Sequence, residues 1–252
     1  MKSVASAVIV SAVFCASASA QLSELYLNRH GDGSGKIYVV QGGAIVREWM
    51  GERGSLFVTG SVVRTAGNTG GAGAEYTLAG VATGNTYPAP GTAGMHNDDS
   101  TTDGVYAYGL NYNSQRVVRF DLDWSNPTNL FGVGGNSDGI TWDRTDNTLW
   151  TCGWTTGEIN HYSMAGAWLG GFVLPTSGHV GIAIDPADHT LWMNKWGTNQ
   201  IEQYSVTGTH LQTLTVSGLP GDLSGAEFAI PTPGAGVLVG VGGLAAMRRR
   251  RA

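Results

Sequence analysis

The chain is 252 residues long, with 39 glycines, 42% hydrophobic and only 13% charged side chains, a composition that rules out long amphipathic helices and suits short strands joined by tight turns. Its formal charge of −5 is unevenly spread: residues 21–230 carry nine basic side chains against nineteen acidic ones, a net of −10. So acidic a body repels phosphate backbones and excludes nucleic acid as a partner.

Taken in chain order, residues 1–20 place Lys2 before an apolar stretch over 4–14 and end on Ala18-Ser19-Ala20, the layout of a secretory signal peptide cleaved before Gln21. Its removal leaves Cys152 as the one cysteine, so the mature chain has no internal disulfide, and Cys152 is expected to be a small buried strand residue. Residues 25–27, 37–40 and 44–49 read as the second, third and outer strands of a small sheet that lacks an inner strand. Residues 54–90 form a weakly patterned unit with a Gly-rich stretch over 67–84. Two further strands are predicted over 105–112 and 116–122.

The strongest pattern follows. Residues 140–169 and 182–211 align at a spacing of 42, with thirteen of thirty positions identical, among them Asp143/Asp185, Trp150/Trp192, Trp154/Trp196, Ile159/Ile201 and Tyr162/Tyr204. A period near forty built from short strands and turns is the signature of propeller blades, each a small sheet that buries its faces against its neighbours. Strands are predicted over 139–142, 148–154, 158–163 and 168–174, and in the second copy over 181–184, 190–196, 200–205 and 210–216. Tyr108, Tyr112, Val117 and Phe120 lie 42 residues before Trp150, Trp154, Ile159 and Tyr162, which makes the preceding unit a blade as well. Residues 225–228 stand where an inner strand is due and supply the one missing from the N-terminal unit. The fold expected is therefore an all-β propeller over residues 21–230, of five blades, or six if residues 67–84 hide another, closed by strands from both termini.

Residues 231–252 carry Pro231 and Pro233, an uncharged small-residue stretch over 234–247, and the cluster Arg248, Arg249, Arg250 and Arg251. A basic cluster directly after an apolar segment is a topology signal that keeps the tail's end on the cytoplasmic side. The arrangement resembles the PEP-CTERM class of C-terminal sorting signals, with Pro231-Thr232-Pro233 in place of Pro-Glu-Pro. That resemblance implies transient inner-membrane association, processing by an exosortase-like protease, and display at the cell surface or release, often alongside exopolysaccharide. The alternative is a plain C-terminal membrane anchor. The blades themselves resemble NHL-type and gluconolactonase or streptogramin-lyase-like propellers through residues 181–186 and Leu191-Trp192, a likeness that implies a fold and no chemistry.

No phosphate-binding loop, nucleophile elbow, HExxH or CxxC occurs. The Asp-rich turns at 143–147 and 185–189 recur at one blade position, which reads as Asx turn chemistry. Residues 96–104, HNDDSTTDG, hold enough oxygen donors for calcium, the one cofactor the sequence admits, although a solvated polar loop is the reading expected. Residues just before the inner strands ring the mouth of a propeller's channel; here they are His96, Asn97 and Asp98, then Asn136, Ser137 and Asp138, then His179, then Asp222. Non-repeating polar residues at a repeated location mark a candidate binding rim. The function expected is a surface or secreted module that binds an extracellular glycan or protein ligand, the alternative being a metal-dependent lactonase-like or lyase-like enzyme.

Overall fold

A computed structural model describes residues 23–30, 35–52, 54–67, 71–88 and 97–229. The segments expected to be the signal peptide and the sorting signal, with Pro231, Pro233 and the terminal arginines, lie outside the described residues, as does His96. Twenty strands form five four-stranded antiparallel sheets, a five-bladed β-propeller. Blade 1 takes β1 (Leu25–Arg29), β2 (Lys36–Gln41) and β3 (Ala44–Met50) from the start of the chain. Blade 2 holds β4 (Gly54–Val58), β5 (Val62–Gly67), β6 (Gly73–Thr77) and β7 (Ala82–Tyr87). Blade 3 holds β8 (Asn97–Thr102), β9 (Tyr106–Asn111), β10 (Arg116–Asp121) and β11 (Thr128–Gly132). Blade 4 holds β12 (Ser137–Asp143), β13 (Thr148–Gly153), β14 (Glu158–Ser163) and β15 (Trp168–Val173), and blade 5 holds β16 (His179–Asp185), β17 (Thr190–Lys195), β18 (Gln200–Ser205) and β19 (His210–Thr215). The last strand, β20 (Leu223–Phe228), is the inner strand of blade 1.

Closure is as the sequence led us to expect. β20 pairs antiparallel with β1, Leu25 opposite Phe228 and Leu27 opposite Ala226, so the two ends of the chain share a blade. The weakly patterned unit over 54–90 is a complete blade, and its Gly-rich stretch supplies β6 and β7, so the ring has five blades and not six. The repeated turns also behave as read: Asp143 Oδ1 accepts the Thr145 N–H at 2.9 Å and Asp185 Oδ1 the Ala187 N–H at 2.8 Å, while Asn147 and His189 take left-handed φ of 57° and 59°.

Each junction between blades is a separate apolar core. Between blades 4 and 5, Trp150, Cys152 and Ile159 meet Ile182, Leu191, Met193 and Tyr204. At the closing junction Leu25, Leu27, Ala226 and Phe228 meet Ala183, Ile201 and Val216. Inner and second strands are buried on both faces, so they read as near-continuous apolar runs; the outer strands alternate or face solvent. Close approach at the axis needs glycine: a Cβ on Gly139 would lie 2.7 Å from the Val180 carbonyl oxygen, and one on Gly181 only 2.3 Å from that of Ser224.

One expectation fails. Residues 97–102 are not part of a solvated loop but form inner strand β8, and every residue of it, including Asp98, Asp99, Ser100, Thr101 and Thr102, is buried. The physical reason lies at the axis. An inner strand has a neighbour on one edge only, and the N–H groups on its other edge point into the channel without partners. Asp99 meets that need for three other blades at once: Oδ2 accepts the N–H groups of Ile140 at 3.0 Å and Ile182 at 3.1 Å, and Oδ1 accepts Ala226 N–H at 3.0 Å as well as Ser100 N–H at 3.0 Å. Burial pushes the Asp99 carboxyl well above the usual carboxylate range, while the N–H groups of Ile182, Ala226 and Ile140 pull it back. A second layer lies next to it. Thr101 Oγ1 accepts Trp142 N–H at 3.0 Å, Thr141 Oγ1 accepts Ile184 N–H at 3.2 Å, and both hydroxyls bond the Glu227 carboxyl.

Asp99→Ala strips the partner from three buried inter-blade N–H groups, each worth about 1–3 kcal/mol when left unmade, a sum comparable with the stability of a typical domain. The expected outcome is a sharp fall in melting temperature together with faster hydrogen exchange at Ile140, Ile182 and Ala226. Unchanged exchange at those three amides would show that Asp99 does not hold the inner strands together.

Candidate functional site at the channel mouth

All five inner strands start at one face of the ring, where the second strands end. The rim residues expected there separate into two groups. Asp98 and Asp138, the second residues of β8 and β12, come together as a buried carboxyl pair that shares a hydrogen bond. Burial first, and then the charge of Asp98, push the Asp138 carboxyl up to about 9, so Asp138 keeps its proton at neutral pH. Asp138 Oδ1 has no hydrogen-bond partner among the described residues. From blade 1, His30 Nε2 lies 3.4 Å from Asp98 Oδ1. Asp222 is the third carboxylate at this face, held by the Arg29 guanidinium, whose Nε lies 2.9 Å from both oxygens; the backbone N–H of His30 donates to the Asp222 carbonyl.

The others point elsewhere. Asn97 is buried, donating from Nδ2 to Ser55 Oγ at 2.7 Å. Ser137 is buried as well, its backbone bracketed by the Gln115 side-chain amide. Asn136 takes a left-handed φ of 51° in the loop before β12 and bonds Thr155 Oγ1 at 2.8 Å. His179 turns into blade 5, with Nε2 3.0 Å from Glu202 Oε2, which also accepts the Tyr204 hydroxyl at 2.8 Å. Burial lowers the His179 pKa against the opposing pull of the Glu202 carboxyl.

Sequence reasoning missed the aromatic part of this face. Trp154 and Trp196 lie beyond the ends of β13 and β17, in the turns to the third strands, rather than inside the second strands. With Tyr112 and His30 they form an arc across blades 3, 4, 5 and 1: ring centroids are 6.2 Å apart for Tyr112 and Trp154, 6.5 Å for Trp154 and Trp196, and 5.4 Å for Trp196 and His30. Trp154 is 36% exposed. The loop preceding each inner strand pins the arc, since Trp154 N–H donates to the Asn136 carbonyl and Trp196 N–H to that of Gly178. The signal available in sequence was the turn chemistry directly after each tryptophan, Thr-Thr-Gly and Gly-Thr-Asn.

Chemically, the face offers an aromatic platform, a proton-sharing carboxyl pair beside an imidazole, and a guanidinium–carboxylate pair. Among the described residues, no group of three or more His, Cys, Asp or Glu side chains is placed to hold a metal ion.

No protein-family model matches the sequence, and no curated protein matches it. Among solved structures, a chain of the nidogen/laminin complex superposes with a TM-score of 0.58 at 13% identity, over 83% of this chain and 99% of that one. A virginiamycin B lyase from Staphylococcus aureus gives 0.48 at 17% identity, over 81% and 76% of the two chains, and a streptogramin B lyase 0.47 at 13%, over 83% and 88%. The likeness to the nidogen/laminin chain shows a shared propeller fold and nothing finer.

The carboxyl pair sets a pH dependence. A carboxyl whose folded pKa is raised stabilises the fold fully below its unfolded value near 4, and that stability is lost as pH climbs towards the folded value, by about 1.4 kcal/mol per unit for one proton. Asp138→Asn keeps the hydrogen bond to Asp98 without a titrating proton. It should therefore melt above the wild type at pH 8, with the gap closing towards pH 4–5; equal slopes in thermal melts across that range would contradict the raised pKa of Asp138.

Proposed function

We propose that this chain is an exported, surface-displayed or secreted propeller that binds an extracellular glycan at the channel mouth. The observation that carries this reading is the arc of Tyr112, Trp154, Trp196 and His30 around polar groups of both signs. Aromatic faces offer flat apolar area for one side of a sugar ring at low entropic cost, and the carboxyl, guanidinium and amide groups beside them supply directional hydrogen bonds. The rings recur every 42 residues, so a repetitive scaffold presents similar platforms side by side, which suits a chain-like ligand. Export and sorting rest on residues 1–20 and on the likeness of residues 231–252 to exosortase substrates.

Glycan-array screening of residues 21–229 tests the binding arm. Trp154→Ala combined with Trp196→Ala should weaken any glycan bound by the wild type about tenfold or more, given that each aromatic anchor is worth about 1–3 kcal/mol. Unchanged affinity would move the site off this face.

The sorting arm has its own test. Replacing Arg248, Arg249, Arg250 and Arg251 with serine should leave full-length, unprocessed protein in the cell. Mass spectrometry of the secreted wild type should find the arginines gone; finding them present would overturn the exosortase reading and favour a plain anchor or none.

A further inference from the structure

The closing junction between blades 5 and 1 lacks a feature present at its neighbour. At the junction of blades 4 and 5, the hairpin from β16 to β17 carries His189, whose Nε2 lies 2.7 Å from Asp143 Oδ2 at the end of β12; Trp150 Nε1 also approaches that oxygen, at 3.4 Å. Asp185 ends β16 as Asp143 ends β12. In blade 1, however, the inner strand and its neighbour come from opposite ends of the chain, so no hairpin joins them and, among the described residues, no imidazole stands opposite Asp185 as His189 stands opposite Asp143. Trp192, the counterpart of Trp150, donates its Nε1–H to Thr190 Oγ1 instead, at 3.0 Å. Asp185 Oδ1 accepts the Ser23 hydroxyl at 2.6 Å and the Ala187 N–H at 2.8 Å. Both of these bonds fall on Oδ1, and the residue is only 7% exposed.

Asp185 lines a cavity of about 370 Å³ at this junction. Trp192, Phe228 and neighbouring aliphatic side chains line it, Asp188, Gln203 and Gln212 supply further polar groups, and among the described residues no lysine, arginine or histidine lines it. A buried carboxylate without a countercharge is costly, and burial does push the Asp185 carboxyl above its usual range against the pull of the Ser23 hydrogen bond. The described lining thus lacks cationic N–H donors and has acceptors to spare.

We propose that this cavity is a second binding site, at the opposite end of the ring from the mouth, for a small primary ammonium carried on a six-membered ring with an apolar face, as in an amino sugar or a cyclic amine. The ammonium donates to Asp185 Oδ2, in the place His189 holds at Asp143. Two further N–H donors remain for Asp188 and the Gln203 or Gln212 side-chain oxygens, and the ring body lies against Trp192. The chain's own geometry serves as the template: what the neighbouring blade supplies covalently at Asp143, a ligand supplies at Asp185.

The test titrates the purified chain at pH 7 with glucosamine, cyclohexylamine, glucose and cyclohexanol, following the Trp192 indole N–H resonance, which is assigned by its loss in Trp192→Phe. Both amines should shift it saturably while the two uncharged rings leave it in place. Asp185→Asn should weaken the amines about tenfold or more, the loss of one charged hydrogen bond, and Asp138→Asn at the mouth should leave them unaffected. Asp188→Asn, on an exposed side chain, should weaken them too, so the test stands even if Asp185→Asn does not fold. Equal responses to amines and alcohols, no saturable response to any of the four, or amine binding that survives both aspartate substitutions would overturn the proposal.

Discussion

The ring depends on what happens to the backbone N–H groups that its inner strands turn towards the axis. Five strands meet there with no strand left to pair with, Asp99, Ser100 and Thr141 lie fully buried on them, and an unpaired buried N–H is among the costlier defects a fold can carry. Asp99 answers this with a single carboxylate whose two oxygens collect four N–H groups from four blades. Thr101, Thr141 and Glu227 repeat the solution one layer along with hydroxyls that both accept and donate. The axis is thus polar throughout, and the apolar cores are displaced outward into the five junctions between blades.

That division of labour explains which parts of the fold were legible in the sequence. Blades 4 and 5 share their junction chemistry, so their residues align position by position, and the pairing of residues 225–228 with the N-terminal unit followed from a gap in the repeat. Blade 2 shares the geometry without the residues: Arg64 stands where the repeats place Trp150 and Trp192, and it bonds Glu75, which Tyr87 and Asn85 also hold. Strand β8 was read as a solvated loop because a run of Asn, Asp, Ser and Thr has no hydropathic period. Its burial is decided by N–H groups belonging to residues 41 to 127 positions away, which no local pattern encodes.

The candidate site was legible by location more than by residue. Knowing where inner strands begin brought Asp98, Asp138 and Asp222 to the mouth, yet the same rule gathered Asn97, Ser137 and His179, whose side chains serve the interior. His30 was invisible to it because it follows the second strand of a blade whose inner strand lies nearly two hundred residues away. Trp154 and Trp196 were visible as repeats but were assigned to packing, since a conserved ring position in a repeat says nothing about which side of the last strand residue it falls on.

The shared blade also fixes the path of mechanical load. β20 runs from the mouth to the opposite face, ending at Phe228, and is held to β1 by an antiparallel ladder from Arg29 opposite Leu223 to Leu25 opposite Phe228. Tension applied between the mouth and the chain beyond Ala229 is directed along β20. The ladder bonds lie across that direction, so they are sheared together instead of being unzipped one after another, and the Ala226 N–H held by Asp99 resists the same displacement. A ring closed by its final strand in this orientation can be pulled by its end without that end becoming the place where it opens.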